Sequence, residues 1–171
     1  MRDRAALFQE IFSKYNDRVY RLCCSYATDE EDRRDLHQEV LFKVWKGLSS
    51  FNGSASPGTW VYRVAVNASI DFLRKSRKRK SLLIHDPVDN LPIADESQDI
   101  ERNAAGSDRI ETLYGLLREL PFVDRTIASL YLDSLSHRQI SEVLGMSVEN
   151  VGVRIHRIKK KLSKLYRERS S

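Results

Sequence analysis

A chain of 171 residues has room for one ordinary domain or two small ones, and 41% hydrophobic beside 31% charged residues suits small units with much polar surface rather than one deep core. The net charge of +5 is compatible with a nucleic-acid partner, but it becomes an argument only where the charge clusters. No apolar run approaches the ~18 residues of a membrane span, and the opening MRDRAALFQE lacks the apolar stretch of a signal peptide, so a cytoplasmic protein is expected.

Seven glycines and four prolines leave most of the chain free to be helical. Residues 1–80 are expected to hold four helices. Over about residues 5–27, Leu7, Phe8, Ile11, Tyr15, Val19, Leu22 and Tyr26 recur at steps of three and four, as one helix or two. Cys23 and Cys24, the only cysteines, lie there. Sequence neighbours rarely bridge each other, so both are expected to be small core residues. Thr28 is expected to cap the next helix, with Glu31 closing a capping box. Leu36, Val40, Val44 and Leu48 then step by four as an inward stripe that ends at residues 47–50. A loop over 51–58 precedes a helix over 59–74, with Val61, Val64, Ala65, Ala68 and Phe72 inside.

Charge divides the rest. The run Arg74-Lys75-Ser76-Arg77-Lys78-Arg79-Lys80 is basic. Residues 81–108 hold seven acidic residues and one arginine, with Pro87 and Pro92 breaking the apolar pattern. They are expected to be a flexible acidic linker. Residues 109–171 return to helical periodicity. Asp108 stands as a cap before Ile110, Leu113, Tyr114, Leu117 and Leu120, Pro121 breaks that helix, and a second carries Ile127, Leu130 and Tyr131.

Ser136 and Gln139 then have capping-box spacing. Ile140, Val143 and Leu144 give one apolar face, Gly145 suits a left-handed turn, and Ser147 caps again. The helix over about 148–167 has an inner stripe of Val148, Val151, Ile155, Ile158 and Leu162. Its outer stripe is Asn150, Arg154, Arg157 and Lys161, flanked by His156, Lys159 and Lys160. Two capped helices about a glycine turn, the second basic outside, make a helix-turn-helix. Its second helix can present Arg and Asn to base edges while lysines hold phosphates. A solvated basic helix in an ordinary bundle is the plainer alternative. The two caps, the glycine and the one-sided charge weigh against it.

Three stretches, in order, resemble the extracytoplasmic-function σ factors of bacteria. Asp35-Leu36-His37-Gln38-Glu39-Val40-Leu41-Phe42-Lys43-Val44-Trp45 is similar to the family's acidic helix. Phe51 through Arg74, with Thr59-Trp60-Val61-Tyr62-Arg63, Asn67 and Asp71, resembles its −10 segment. Leu135-Ser136-His137-Arg138-Gln139-Ile140 through Arg154-Ile155-His156-Arg157 resembles its −35 helix-turn-helix. The resemblance implies an all-α protein of two small helical domains, residues 1–80 and 109–171, joined by the linker. It implies an alternative σ factor without enzymatic activity that binds core RNA polymerase. That protein reads double-stranded −35 DNA and melted, single-stranded −10 DNA.

It places polymerase binding on Asp35, Gln38, Glu39 and Phe42. It places −10 reading and melting on Asn52, Gly53, Ser54, Trp60, Tyr62, Arg63, Asn67 and Arg74, where aromatic and arginine planes can stack on bases. A place in the core is the alternative for Trp60. The −35 set is Asn150, Arg154, His156, Arg157, Lys160 and Lys161. Gly152 and Val153 depart from the family's polar residues there, which puts the usual −35 preference in doubt. An anti-σ factor is an expected partner; no cofactor and no metal are expected. A conventional helix-turn-helix regulator needs neither the 35–45 helix nor the melting segment. An enzyme would need ligand or nucleophile spacings that the carboxylates from Asp29 to Asp35 do not supply.

Overall fold

A computed structural model describes residues 4–83 and 105–170. Seven helices and no strand occur among them: α1 (Arg4–Cys24), α2 (Glu30–Gly47), α3 (Pro57–Leu83), α4 (Ala105–Arg118), α5 (Phe122–Leu132), α6 (His137–Leu144) and α7 (Val148–Ser170). The all-α expectation holds for these residues. The stretch before Glu30 is one helix, so the first part of the chain has three helices, not four.

Local chemistry explains where the boundaries moved. Asp29, not Thr28, caps α2; its Oδ1 accepts the Asp32 N–H at 2.8 Å. Asp caps at least as well as Thr. This frame also sets Glu30, Glu31 and Asp32 in the first turn, against the positive end of the helix dipole. α3 starts at Pro57, in the position where a missing N–H costs nothing, with Ser56 Oγ accepting the Thr59 N–H at 3.1 Å. It runs past Arg74 to Leu83, because the basic stretch is built largely of straight-chain residues that favour helix. α4 begins at Ala105, which puts Asp108 in its first turn rather than at the cap. Of the linker expected over 81–108, residues 84–104 lie outside the described residues.

α1, α2 and α3 pack as one bundle and α4 to α7 as another. In the first, the inward stripe of α2 is buried: Leu36, Val40 and Val44, with Leu48 at the C-cap, meet Ile11, Val19 and Leu22 from α1, and Val61, Ala65, Ala68 and Phe72 from α3. Cys23 and Cys24 are buried free thiols, and burial pushes both upward in pKa. In the second bundle, Leu117, Leu120, Ile127, Leu130, Ile140, Val151, Ile155 and Ile158 form the centre. Ile110, Tyr131 and Val148, expected to face inward, are exposed. Tyr131 and Val148 lie at helix ends, where the neighbouring helix no longer covers the stripe, whereas Ile110 lies within α4.

The helix-turn-helix forms as its caps require. Ser136 Oγ accepts the Gln139 N–H at 3.2 Å, and Gln139 Oε1 accepts the Ser136 N–H at 2.9 Å. Gly145 takes φ +68°, a left-handed turn that L side chains rarely adopt. Ser147 Oγ accepts the Asn150 N–H at 3.2 Å and starts α7. The two bundles are not separate: α5 packs on α1 and α6 on α3.

Candidate functional site

The outer face of α7 is set by its inner one. With Val151, Ile155 and Ile158 buried, Asn150, His156, Arg157, Lys160 and Lys161 are turned outward and exposed. Arg157, Lys160, Lys161 and Lys164 line one open groove. Arg154 differs from the rest of this set. It is half-buried, and its Nη1 donates to Asp124 Oδ1 on α5 at 2.6 Å. At its point on the helix a long side chain meets α5 before it meets solvent. Gly152 needs no such explanation, since a Cβ there would touch His137 only at an ordinary 3.6 Å.

On α2, Asp35, Gln38 and Phe42 are exposed, and Phe42 keeps 57% of its surface open with Lys46 Nζ 4.7 Å from the ring centre. A phenyl ring held in water beside a cation suits contact with a partner surface. Glu39, on the same helix, is half-buried between Lys43 at 3.3 Å and Lys75 at 3.6 Å. Lys43 also donates to Asp71 Oδ2 at 2.9 Å, which raises the lysine in pKa and lowers the aspartate. These pairs tie the acidic helix to the start of the basic run on α3.

The loop and the start of α3 hold the remaining predicted residues. Asn52 Oδ1 accepts the Ser54 N–H at 3.0 Å, and Gly53 takes φ +74°; all three residues are exposed at the loop tip. Trp60 is half-buried. Its ring lies 4.9 Å from that of Phe51, and a Cβ at Gly47 would come within 2.8 Å of it. The close approach requires glycine at 47, and Trp60 anchors the loop to α2. Tyr62, expected as an available plane, is buried, with its hydroxyl donating to Asp133. Burial, and then Asp133, push that hydroxyl upward in pKa. Arg63 reaches out of α3 and donates from Nε and Nη2 to the Glu142 carbonyl at 3.1 and 2.6 Å. Asn67 and Arg74 are exposed farther along the helix.

Tyr62 and Arg63 are therefore engaged by the second bundle, through contacts that sequence periodicity did not announce. Arg21 joins Tyr62 on Asp133. Arg33 is buried and donates from Nη2 to both oxygens of Glu111 at 2.8 and 3.0 Å, and Arg118 shares that carboxylate at 2.8 Å. The Tyr26 hydroxyl meets Thr126, with Phe122 5.4 Å away ring to ring. No helical spacing links the partners that meet across the bundles, 71 to 112 positions apart, so only the fold brings them together.

Two small helical units, the second with a basic helix-turn-helix, define a two-part DNA-binding transcription factor. Residues 11–79 match the family model for Sigma-70 region 2, and residues 110–162 match that for Sigma-70, region 4. The ECF RNA polymerase sigma factor SigM of Bacillus subtilis is 30% identical over 159 residues, covering 92% of this chain and 93% of that protein. SigW of the same species is 29% identical over 168 residues, covering 94% and 89%. In fold, the chain is similar to CnrH in its complex with the cytosolic domain of CnrY, with a TM-score of 0.69 at 20% identity over 94% of this chain and 88% of that one. It is similar too to the sigma factor RpoE in complex with the anti-sigma factor NepR from Bartonella quintana, with 0.66 at 18% identity over 94% and 96%. The chain belongs to the ECF RNA polymerase sigma factors, and it is a transcription initiation factor.

Proposed function

We propose that this sigma factor binds core RNA polymerase through the α2 face of Asp35, Gln38, Glu39 and Phe42 and reads promoters with its two ends. Residues 1–80 take the melted −10 strand, and residues 109–171 take the duplex −35 element, with 81–108 linking them. The observation that carries the −35 half is the exposed row of Asn150, His156, Arg157, Lys160 and Lys161 on the second helix of a helix-turn-helix. Bases are read at the helix start, and the lysines farther along hold phosphates. Arg154, paired with Asp124, supports the placement of α7 more directly than it supports base reading.

For the −10 half, Asn52, Gly53 and Ser54 offer an exposed polar loop for a base out of the stack, with Trp60 fixing the foot of that loop. Arg63, Asn67 and Arg74 lie outward along α3, and Tyr62 becomes a stacking plane once the second bundle leaves it. The protein makes no phosphodiester bond itself; it supplies binding energy to the polymerase. An anti-sigma factor, of the kind found in complex with RpoE of Bartonella quintana, is the expected inhibitor of this one. Cytoplasmic action follows from these partners.

The test is transcription in vitro with purified core polymerase on fragmented genomic DNA, with and without the protein. Discrete transcripts that need the protein are expected, and they locate both promoter elements. No transcripts, together with specific binding of the protein alone to free DNA, would overturn the reading.

A further inference from the structure

Asp133 ends α5 where the second bundle faces α1 and α3. Its side chain is 8% exposed, and three groups of the first bundle converge on it. Arg21 donates from Nε and Nη2 to Oδ1 at 3.1 and 2.5 Å, the Tyr62 hydroxyl donates to Oδ2, and Arg18 Nη1 stands 4.0 Å from Oδ2. Arg63, next to Tyr62 in the chain, holds the Glu142 carbonyl beside this cluster. Two guanidinium groups and a phenol around a single carboxylate make an anion site with more positive charge than its occupant neutralises. Arginine forks bind phosphate as readily as carboxylate.

We infer that Arg18, Arg21 and Tyr62 form a binding site for a backbone phosphate of the single-stranded promoter DNA, and that Asp133 fills this site in the free protein. The inference rests on the −10 role proposed for Tyr62 and Arg63 and adds Arg18 and Arg21 to it. Asp133 and the DNA strand then compete for one set of donors. The competition has a geometric reason. Elements named −35 and −10 lie roughly 25 base pairs apart, about 85 Å at 3.4 Å per pair. Two bundles packed together cannot reach both. Twenty-two peptide steps join Leu83 to Ala105, which allow the bundles to separate by at most about 75 Å. Promoter binding thus requires the contact at Asp133 to open, and opening frees the arginines where the melted strand passes.

The test uses the full chain, small-angle scattering, and a fluorescein-labelled single-stranded oligonucleotide of random sequence. Asp133→Asn should expand the free protein from the radius of gyration of about 16 Å typical of a compact chain this long to above about 20 Å. It should tighten oligonucleotide binding at least about threefold, because the closed fraction no longer withholds the site. Arg18→Ala combined with Arg21→Ala should also expand the protein. Relative to Asp133→Asn, however, it should bind more weakly, with a slope of log affinity against log salt shallower by about 0.7 for each phosphate that is no longer neutralised. An Asp133→Asn chain that stays compact and binds the oligonucleotide no more tightly than the parent overturns the competition at Asp133. A double arginine variant that binds as tightly and as salt-dependently as Asp133→Asn overturns the phosphate site. Arg63→Ala in the Asp133→Asn chain tests the −10 reading separately: unchanged binding there removes that reading, while the Arg18 and Arg21 slope still judges the new site.

Discussion

Arg157 and Arg154 are three residues apart on one helix and share a chemistry, yet their surroundings divide them. Arg157 is exposed in the basic groove, whereas Arg154 is committed to Asp124 at 2.6 Å. If Arg157 contacts a base edge, Arg157→Ala should weaken binding to the −35 duplex by roughly 1–3 kcal/mol and relax preference at one base pair. Competition binding with cognate and scrambled duplexes reads this directly, and equal weakening on both would assign Arg157 to a phosphate. The same reasoning orders Tyr62 and Trp60. Each aromatic is a candidate for stacking by type alone. Trp60 is tied to Phe51 and Gly47 within its own bundle, while Tyr62 is covered by Asp133 from the other.

At the scale of the element, α2 shows how one stripe defines another. Three fully buried aliphatics at four-residue steps, Leu36, Val40 and Val44, force Asp35, Gln38 and Phe42 outward, whatever the partner. Asp35→Ala with Glu39→Ala should lower affinity for core polymerase while leaving the helical circular-dichroism signal and melting curve close to those of the parent. Surface substitutions away from packed features usually change stability by no more than about 0.5 kcal/mol. Glu39 is the less neutral of the two, since Lys43 and Lys75 lose a partner. Unchanged holoenzyme formation on a native gel would remove this face from the polymerase interface. The helix-turn-helix is legible from sequence because its signals are local: caps three residues apart and a glycine turn. The start of α2 lies one residue from the expected cap because Thr28 and Asp29 are both competent caps, and neighbouring acids favour Asp29.

The whole molecule adds a dependence on pH. Burial alone would push the Glu111 carboxyl up, but Arg118 and Arg33 outweigh it and hold the group below its ordinary value of 4.5. Arg118 shares α4 with Glu111 and stays beside it when the bundles part, so it is the share of the depression due to Arg33 that stabilises the closed form above the ordinary value. The contribution is lost as pH falls through the depressed one. Acidification below about 4.5 should therefore loosen the packing between the bundles, seen as a growing scattering radius. Glu111→Gln should flatten the response in that window. A wild-type radius that follows the same pH course as Glu111→Gln would remove Glu111 from the closing interface.

The sequence by itself determined the helical class, the two-part division, the inward stripes of α2 and α3, the helix-turn-helix and the family resemblance. These rest on spacing within a single helix or turn, where three- and four-residue steps and cap chemistry leave few alternatives. It did not reveal the two-bundle interface, with Arg21 and Tyr62 on Asp133, Arg33 on Glu111 and Arg63 on Glu142, nor, within the second bundle, the capture of Arg154 by Asp124. Only the tertiary structure decided those. A charged side chain on a helix surface carries no mark of whether it faces water or another surface folded from residues far along the chain.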